Sequence, residues 1–154
     1  MEKKDLDELD YKILSMVAEN ARLPFLEVAR SCNVSGAAIH QRVQRLTELG
    51  VIKGSEFVLD PEKIGYGTCA FIGLRLRKHA DENLIVTELR KIPEVVECHC
   101  TTGSYDLLVK IYALNNQHLL SVLRERIQTL EVDRVESIIS FKELIRRQMS
   151  MPEK

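Results

Sequence analysis

The chain is expected to be an α+β protein, with an N-terminal helix-turn-helix domain of the winged type and a C-terminal ferredoxin-like βαββαβ domain. Three observations predict this. Up to Gly50, apolar residues recur at the spacings of three and four that mark helices with one buried face. Within that half, VARSCNVSGAAIHQRVQRLTELGVI (28–52) is interrupted at Cys32-Asn33-Val34-Ser35, so two short helices must meet at one tight corner. From Thr68 onward the pattern changes to alternating strand-like and helical stretches. The expected division is a helix-turn-helix domain over 1–54, a strand and hinge over 55–66, a ferredoxin-like domain over 67–144 and a tail over 145–154.

Each element has a local reason. In DLDELDYKILSMVAEN, Leu6, Leu9, Ile13 and Val17 form an apolar stripe, and Asp5 or Asp7 can cap the start. An acidic first turn also suits the positive end of the helix dipole. Pro24 fits the opening turn of a second helix near 24–31 that buries Leu26, Val28 and Ala29. Ser35 caps a third helix over 36–49, and Gly50 ends it. GSEFVLDPEKIGYG suggests a short strand near 56–59 and then a hinge punctuated by Gly and Pro.

In the second half, TCAFIGLRLRK (68–78) places Ala70, Ile72, Leu74 and Leu76 on one face of a strand and Arg75 and Arg77 on the other. DENLIVTELRKI (81–92) is a helix capped by Asp81 that buries Ile85, Leu89 and Ile92 and is stopped by Pro93. EVVECHCTT (94–102) and YDLLVKIYA (105–113) form a hairpin across Gly103-Ser104. NNQHLLSVLRERIQTL (115–130) is a helix with Leu119, Leu123, Ile127 and Leu130 inward, and VDRVESIISFKEL (132–144) is the last strand.

Composition narrows the function classes. Apolar residues make up 45% and charged residues 29% of the 154 residues, an ordinary globular balance. No apolar run approaches the roughly 20 residues that span a bilayer, and the polar start MEKKDLDELD is no secretory signal. The expected location is therefore cytoplasmic, with no membrane partner. The net charge of −1 weakly opposes nucleic-acid binding as a global property. Locally, from Arg22 to Lys53, five bases (Arg22, Arg30, Arg42, Arg45, Lys53) stand against Glu27 and Glu48, which leaves +3.

Four cysteines lie at 32, 69, 98 and 100. Cys98-His99-Cys100 looks like a metal clip, but zinc wants about four ligands, usually from two separated pairs. The sequence has no second pair, so a core strand is expected, with Cys98 and Cys100 sharing a face with Val96 and with His99 opposite. No metal site is expected. Nor does any Ser-His-Asp or Cys-His set, phosphate loop or carboxylate pair stand out, and His40, His79, His99 and His118 fall on different elements. The chain is expected not to be an enzyme.

The corner between the second and third helices points to DNA. Ile39, Val43 and Leu46 must face the protein, which turns Ala37, Gln41, Gln44 and Glu48 outward with His40, Arg42 and Arg45 on the flanks. Glutamine and arginine can make bidentate hydrogen bonds to adenine and guanine edges. Small residues Gly36, Ala37 and Ala38 permit close approach to a groove, and the exposed amides at that helix end favour a phosphate. The candidate DNA-binding residues are Gly36, Ala37, Ala38, His40, Gln41, Arg42, Gln44 and Arg45, with Arg22 and Arg30 better suited to phosphate than to bases. The bland alternative is a solvated helix face, or a helical half that binds a protein partner while the rest senses a ligand.

The pattern Leu9, Asp10, Ile13, Leu14, then Asn20-Ala21-Arg22, Val28-Ala29, Val34-Ser35, Arg42-Val43, Leu46 and Gly50-Val51-Ile52 resembles the Lrp/AsnC (feast/famine) family of transcriptional regulators. The resemblance continues through Phe71-Ile72-Gly73, Thr102-Gly103-Ser104-Tyr105-Asp106 and Ile127-Gln128-Thr129, and so covers nearly the whole chain. TTGSYD and IQT are most similar to the asparagine-responsive AsnC type. Pro24 and Gly36 depart from the pattern, standing where a hydroxyl cap and a better helix former are common.

The resemblance implies a regulator that binds double-stranded DNA. It also implies homodimers that assemble further, to octamers, with an amino-acid effector held where dimers meet, asparagine or another small amino acid. No other cofactor is implied. On the residues themselves, Thr101, Thr102, Gly103, Ser104, Tyr105 and Asp106 can offer amide donors, hydroxyls and an acid to such a ligand. Gln128 and Thr129 are placed on the opposite wall by family analogy, where Gln128 could exchange two hydrogen bonds with a side-chain amide. The same loop also reads as a plain hairpin turn.

Overall fold

A computed structural model describes residues 6–152. The chain divides into two units, Met1–Val58 with Ile145–Lys154, and Leu59–Leu144.

The first unit holds α1 (Glu8–Glu19), α2 (Phe25–Cys32) and α3 (Gly36–Glu48). Asp7 caps α1 by accepting from the Asp10 amide at 2.8 Å, while the Asp10 side chain accepts from the Asp7 amide at 3.1 Å, a reciprocal capping box. Asp5, the alternative cap, lies outside the described residues. Pro24 precedes the first helical residue of α2 rather than occupying it. Phe25 packs on the small core there, whereas Leu26, expected to be buried, is 66% exposed. Counting from Phe25, the 100° step carries Val28 and Ala29 inward and turns Leu26 outward.

The corner is closed by Asn33, which ends α2 at φ 55°, a left-handed conformation asparagine tolerates well. Ser35 Oγ then accepts from the Ala38 amide at 3.2 Å and starts α3. At the far end the Val51 amide reaches Leu46 O at 2.9 Å and the Gly50 amide reaches Thr47 O at 2.8 Å. With Gly50 at φ 66°, this is a Schellman stop. Ile13, Val28, Ala29 and Ile39 make the core of this unit.

The strand expected at 56–59 does not form: 53–60 has no regular structure, and Phe57 and Val58 are more than two-thirds exposed. Strand propensity alone forms no ladder, since the backbone groups need a neighbouring strand. The Arg22 guanidinium lies 4.4 Å over the Phe57 ring, a cation–π contact.

The second unit holds a short 3-10 turn (Glu62–Ile64), then β1 (Thr68–Leu76), α4 (Glu82–Leu89), β2 (Val95–Cys100), β3 (Leu107–Ala113), α5 (Asn116–Val122) and β4 (Val132–Ser140). Its strands form one antiparallel sheet in the order β2-β3-β1-β4. This is the ferredoxin-like arrangement. Ala70, Ile72 and Leu74 of β1 and Val109 and Ile111 of β3 are fully buried against Ile85, Leu89, Leu119 and Ile127.

Three local expectations change. Helix 115–130 runs as α5 only to Val122, then continues as one π-helical turn, Leu123–Ile127, closed by the Gln128 amide on Leu123 O at 2.8 Å. The widened turn still buries Leu123 and Ile127, but Leu130 only in part. Strand β4 stops at Ser140, and Phe141 is wholly exposed. In β2 a register shift between Val95 and Glu97 makes Val96 a bulge. Val95 and Cys98 therefore pack on the core and Val96 turns out, so Val96 leaves the predicted face, while Cys98 and the exposed Cys100 still share one, with His99 opposite. Among the described residues no helix is long and apolar enough to cross a membrane.

Candidate DNA-binding face and effector site

Helix α3 buries Ile39 and Leu46 completely and Val43 in part, which leaves Ala37, His40, Gln41, Gln44 and Glu48 on its outer side. Gly36 opens the helix and Ala38 is half-buried. A Cβ on Gly36 would meet Leu26 Cδ2 at an ordinary 3.4 Å, so the glycine is not needed for space. The His40 ring sits edge-on to Phe25, 4.7 Å between centroids, and is thereby oriented by α2. Gln44 Nε2 donates to Glu48 Oε1 at 2.9 Å along the same face.

The two arginines of α3 have partners within the unit. Arg42 Nη1 donates to Asp10 Oδ1 at 3.0 Å and also to Asp7, while Arg45 Nη1 donates to Asp10 Oδ2 at 3.0 Å. Asp10 itself is fully buried. The Arg42 hydrogen bond holds the Asp7 carboxyl below the usual carboxylate range. Stability from that pair is therefore present above the usual range and is lost as pH falls through the lowered value. Neither acid was anticipated as part of this surface. The available signal was an acid, Asp10, one position from Leu9 and three from Ile13 within an apolar stripe, where only a paired carboxylate can stay.

The second site lies at the end of β1. The Asp106 amide donates to Leu74 O at 2.9 Å, and Asp106 Oδ2 accepts from the Leu76 amide at 2.7 Å. Thr101 closes the loop, its amide donating to Asp106 O at 2.9 Å and its hydroxyl to Tyr105 O at 3.0 Å. Thr102, Gly103 and Ser104 are exposed between these anchors, with Gly103 at φ 98°, a conformation that favours glycine. Gln128 and Thr129 are exposed just beyond the π-helical turn. They precede Val132, which pairs with Leu76, so this segment and the 101–106 loop sit at one end of the sheet on either side of β1.

The Tyr105 ring covers Gly73, and Glu136 lies near its phenol. The Glu136 carboxylate, assisted by desolvation, raises the phenol pKa above its ordinary value. Gly73 and Glu136 are partners in the β1–β4 ladder, so the ring is placed by the register. A Cβ on Gly73 would lie 2.7 Å from the ring. Gly73→Ala should therefore expel the ring from its seat at a cost of about 1–3 kcal/mol, the usual range for overpacking. Thermal unfolding checks this; an unchanged melting temperature would mean that the ring moves aside without loss.

Residues 69–150 match the family description "Lrp/AsnC ligand binding domain", and residues 6–53 match "Winged helix-turn-helix DNA-binding". The chain belongs to the Lrp/AsnC family. The regulatory protein AsnC of Haemophilus influenzae is 37% identical over 144 residues, covering 93% of this chain and 96% of that one. The solved structure of Escherichia coli AsnC superposes with a TM-score of 0.88 at 32% identity, covering 95% and 99% of the two chains. A transcriptional regulator from Neisseria meningitidis, solved as a complex with L-methionine, superposes with a TM-score of 0.87 at 28% identity, over 96% of each chain. Like the rest of the Lrp/AsnC family, this chain is a DNA-binding transcriptional regulator with a ligand-binding domain, and not an enzyme.

Proposed function

We propose that this Lrp/AsnC regulator reads its operators through the outer side of α3 and adjusts its assembly to an amino acid held at the 101–106 loop. The observation that carries the first half is the split of α3 into a buried side, Ile39 and Leu46, and an exposed side, Ala37, Gln41 and Gln44. Gln41 and Gln44 are assigned to base edges and Ala37 to close approach, with the Gly36 and Ala37 amides facing a phosphate and the Ala38 amide held by the Ser35 cap. His40 is assigned to the flank. Arg22 and Arg30 suit phosphates.

For the effector, Asp106 is the acceptor for an ammonium group, and its Oδ2 is already steered by the Leu76 amide. The Gly103 and Ser104 amides with the Thr102 hydroxyl suit the carboxylate, the Thr101 hydroxyl being engaged by Tyr105 O, while Gln128 and Thr129 read the side chain. The methionine complex of the Neisseria meningitidis relative supports the ligand class. Asparagine or another small amino acid is the proposed ligand.

Assembly is proposed as dimers that build to octamers. The apolar run Phe57-Val58-Leu59 is exposed, as are Ile138 and Phe141, and apolar surface of this kind marks contacts between chains. The effector acts by linkage: it shifts the assembly equilibrium only by its difference in affinity for the two states, and so repositions paired α3 helices on half-sites about 10 bp apart. As a DNA-bound regulator it would work in the cytoplasm.

A thermal-shift screen of the twenty amino acids tests the effector assignment. One should raise the melting temperature selectively, by the stabilisation expected of a ligand that binds only the folded state. Asp106→Asn should abolish that rise. A rise that survives Asp106→Asn places the ligand elsewhere.

A further inference from the structure

Both arginines of α3 converge on a single carboxylate that no solvent reaches. Asp10 uses Oδ1 for Arg42 and Oδ2 for Arg45, each at 3.0 Å, and Oδ2 also accepts the Asp7 amide at 3.1 Å. Asp7, exposed at the start of α1, supplies a second carboxylate to Arg42. A buried carboxylate is tolerable only when paired and hydrogen-bonded, and this one obtains its pairing from a different helix. Donors spent on Asp7 and Asp10 are not aimed at phosphates or guanines. The arrangement also ties α3 to α1 at two positions three residues apart, nearly one helical turn, which opposes rotation of α3 about its own axis.

We infer that Asp10 is a positioning residue for operator recognition: it holds Arg42 and Arg45 back from the duplex and fixes the rotation of α3 that presents Gln41 and Gln44. The +3 charge of 22–53 is thereby partly neutralised by α1, so the helix-turn-helix favours readout over bulk attraction to DNA. This rests on the assignment of α3 as the DNA-facing helix.

Asp10→Asn tests it, since the amide keeps the shape and removes the charge. Affinity for a non-operator duplex should rise. The slope of log K against log salt should steepen by roughly 0.9 for each arginine that gains a phosphate. The operator to non-operator ratio should fall by about tenfold or more, as when a good bidentate base contact is lost. Replacing Arg42 and Arg45 by Gln in the same background should return the slope to its starting value. An unchanged slope, or a parallel loss of affinity on both duplexes, overturns the inference, because a merely structural role weakens all binding alike.

If Asp10→Asn does not fold, Asp7→Asn serves. Asn is as good an N-cap as Asp, and the change removes only the outer partner of Arg42. A smaller steepening is then expected, and none overturns the inference. Failure of the underlying assignment is separable: it would appear as unaltered operator preference in Gln41→Ala with Gln44→Ala. Loss of preference in that variant, with an unchanged slope in the Asp variants, would sink the positioning role alone.

Discussion

Replacing Ile39 with alanine is expected to unfold the helix-turn-helix while sparing the sheet unit. Ile39 is fully buried and sits in a small core cluster with Ile13, Val28 and Ala29. An Ile→Ala change in a core costs about 2–5 kcal/mol, through lost burial plus the cavity left behind. So small a unit cannot spread that loss over other contacts, and total domain stabilities are themselves only about 5–15 kcal/mol. Calorimetry should show an early transition split from the main one, and operator binding should vanish. Amino-acid binding should persist, because Ala70, Ile72, Leu74, Val109 and Ile111 make a separate core. Ile72→Ala is the reciprocal control and should destabilise the sheet unit. A single unshifted transition for Ile39→Ala would show that the first unit does not depend on this contact.

The double replacement of Gln41 and Gln44 by alanine should leave a folded protein with little sequence preference. Both side chains are exposed, so stability should hold. Each good bidentate contact to a base is worth roughly 1–3 kcal/mol of discrimination. Selection from a random duplex library first defines the preferred site of the unaltered protein. The variant should then bind preferred and scrambled sites with nearly equal affinity and an unchanged salt slope, since no phosphate contact is removed. The Gln44–Glu48 hydrogen bond adds a detail: Gln44→Ala releases Glu48, whose charge then faces the duplex and lowers affinity for all sites alike. Retained preference would remove these glutamines from the recognition surface.

Much of the fold was legible because it is written in short-range interactions. The Asp7, Ser35 and Asp81 caps act over two or three residues, and the Gly50 stop closes within one turn. The order β-α-β-β-α-β follows from changes of apolar period along the chain, and the sheet order β2-β3-β1-β4 is the one that order implies. The face of α3 was legible for the same reason, since Ile39 and Leu46 define its buried side and thereby the opposite one. The elements of the candidate effector loop were also visible, as Gly103 and Asp106 lie within four residues of each other.

What was misread depends on partners distant in sequence. The strand-like composition of 56–59 finds no ladder. The Val96 bulge exists only relative to the register of β3, so strict alternation misassigned Val96.

By itself the sequence determined the two kinds of domain, the Asp7, Ser35 and Asp81 caps and the outward glutamines, because periodicity and capping are decided within a turn or two of chain, and it carried the family in the order and spacing of residues along nearly its whole length. Only the tertiary structure decided that Arg42 and Arg45 bind Asp10, 32 and 35 residues away, and that Tyr105 lies over Gly73, the strand partner of Glu136. Charge and ring pairings at such separations are set by which faces meet when helices and strands pack, and no local rule carries that information.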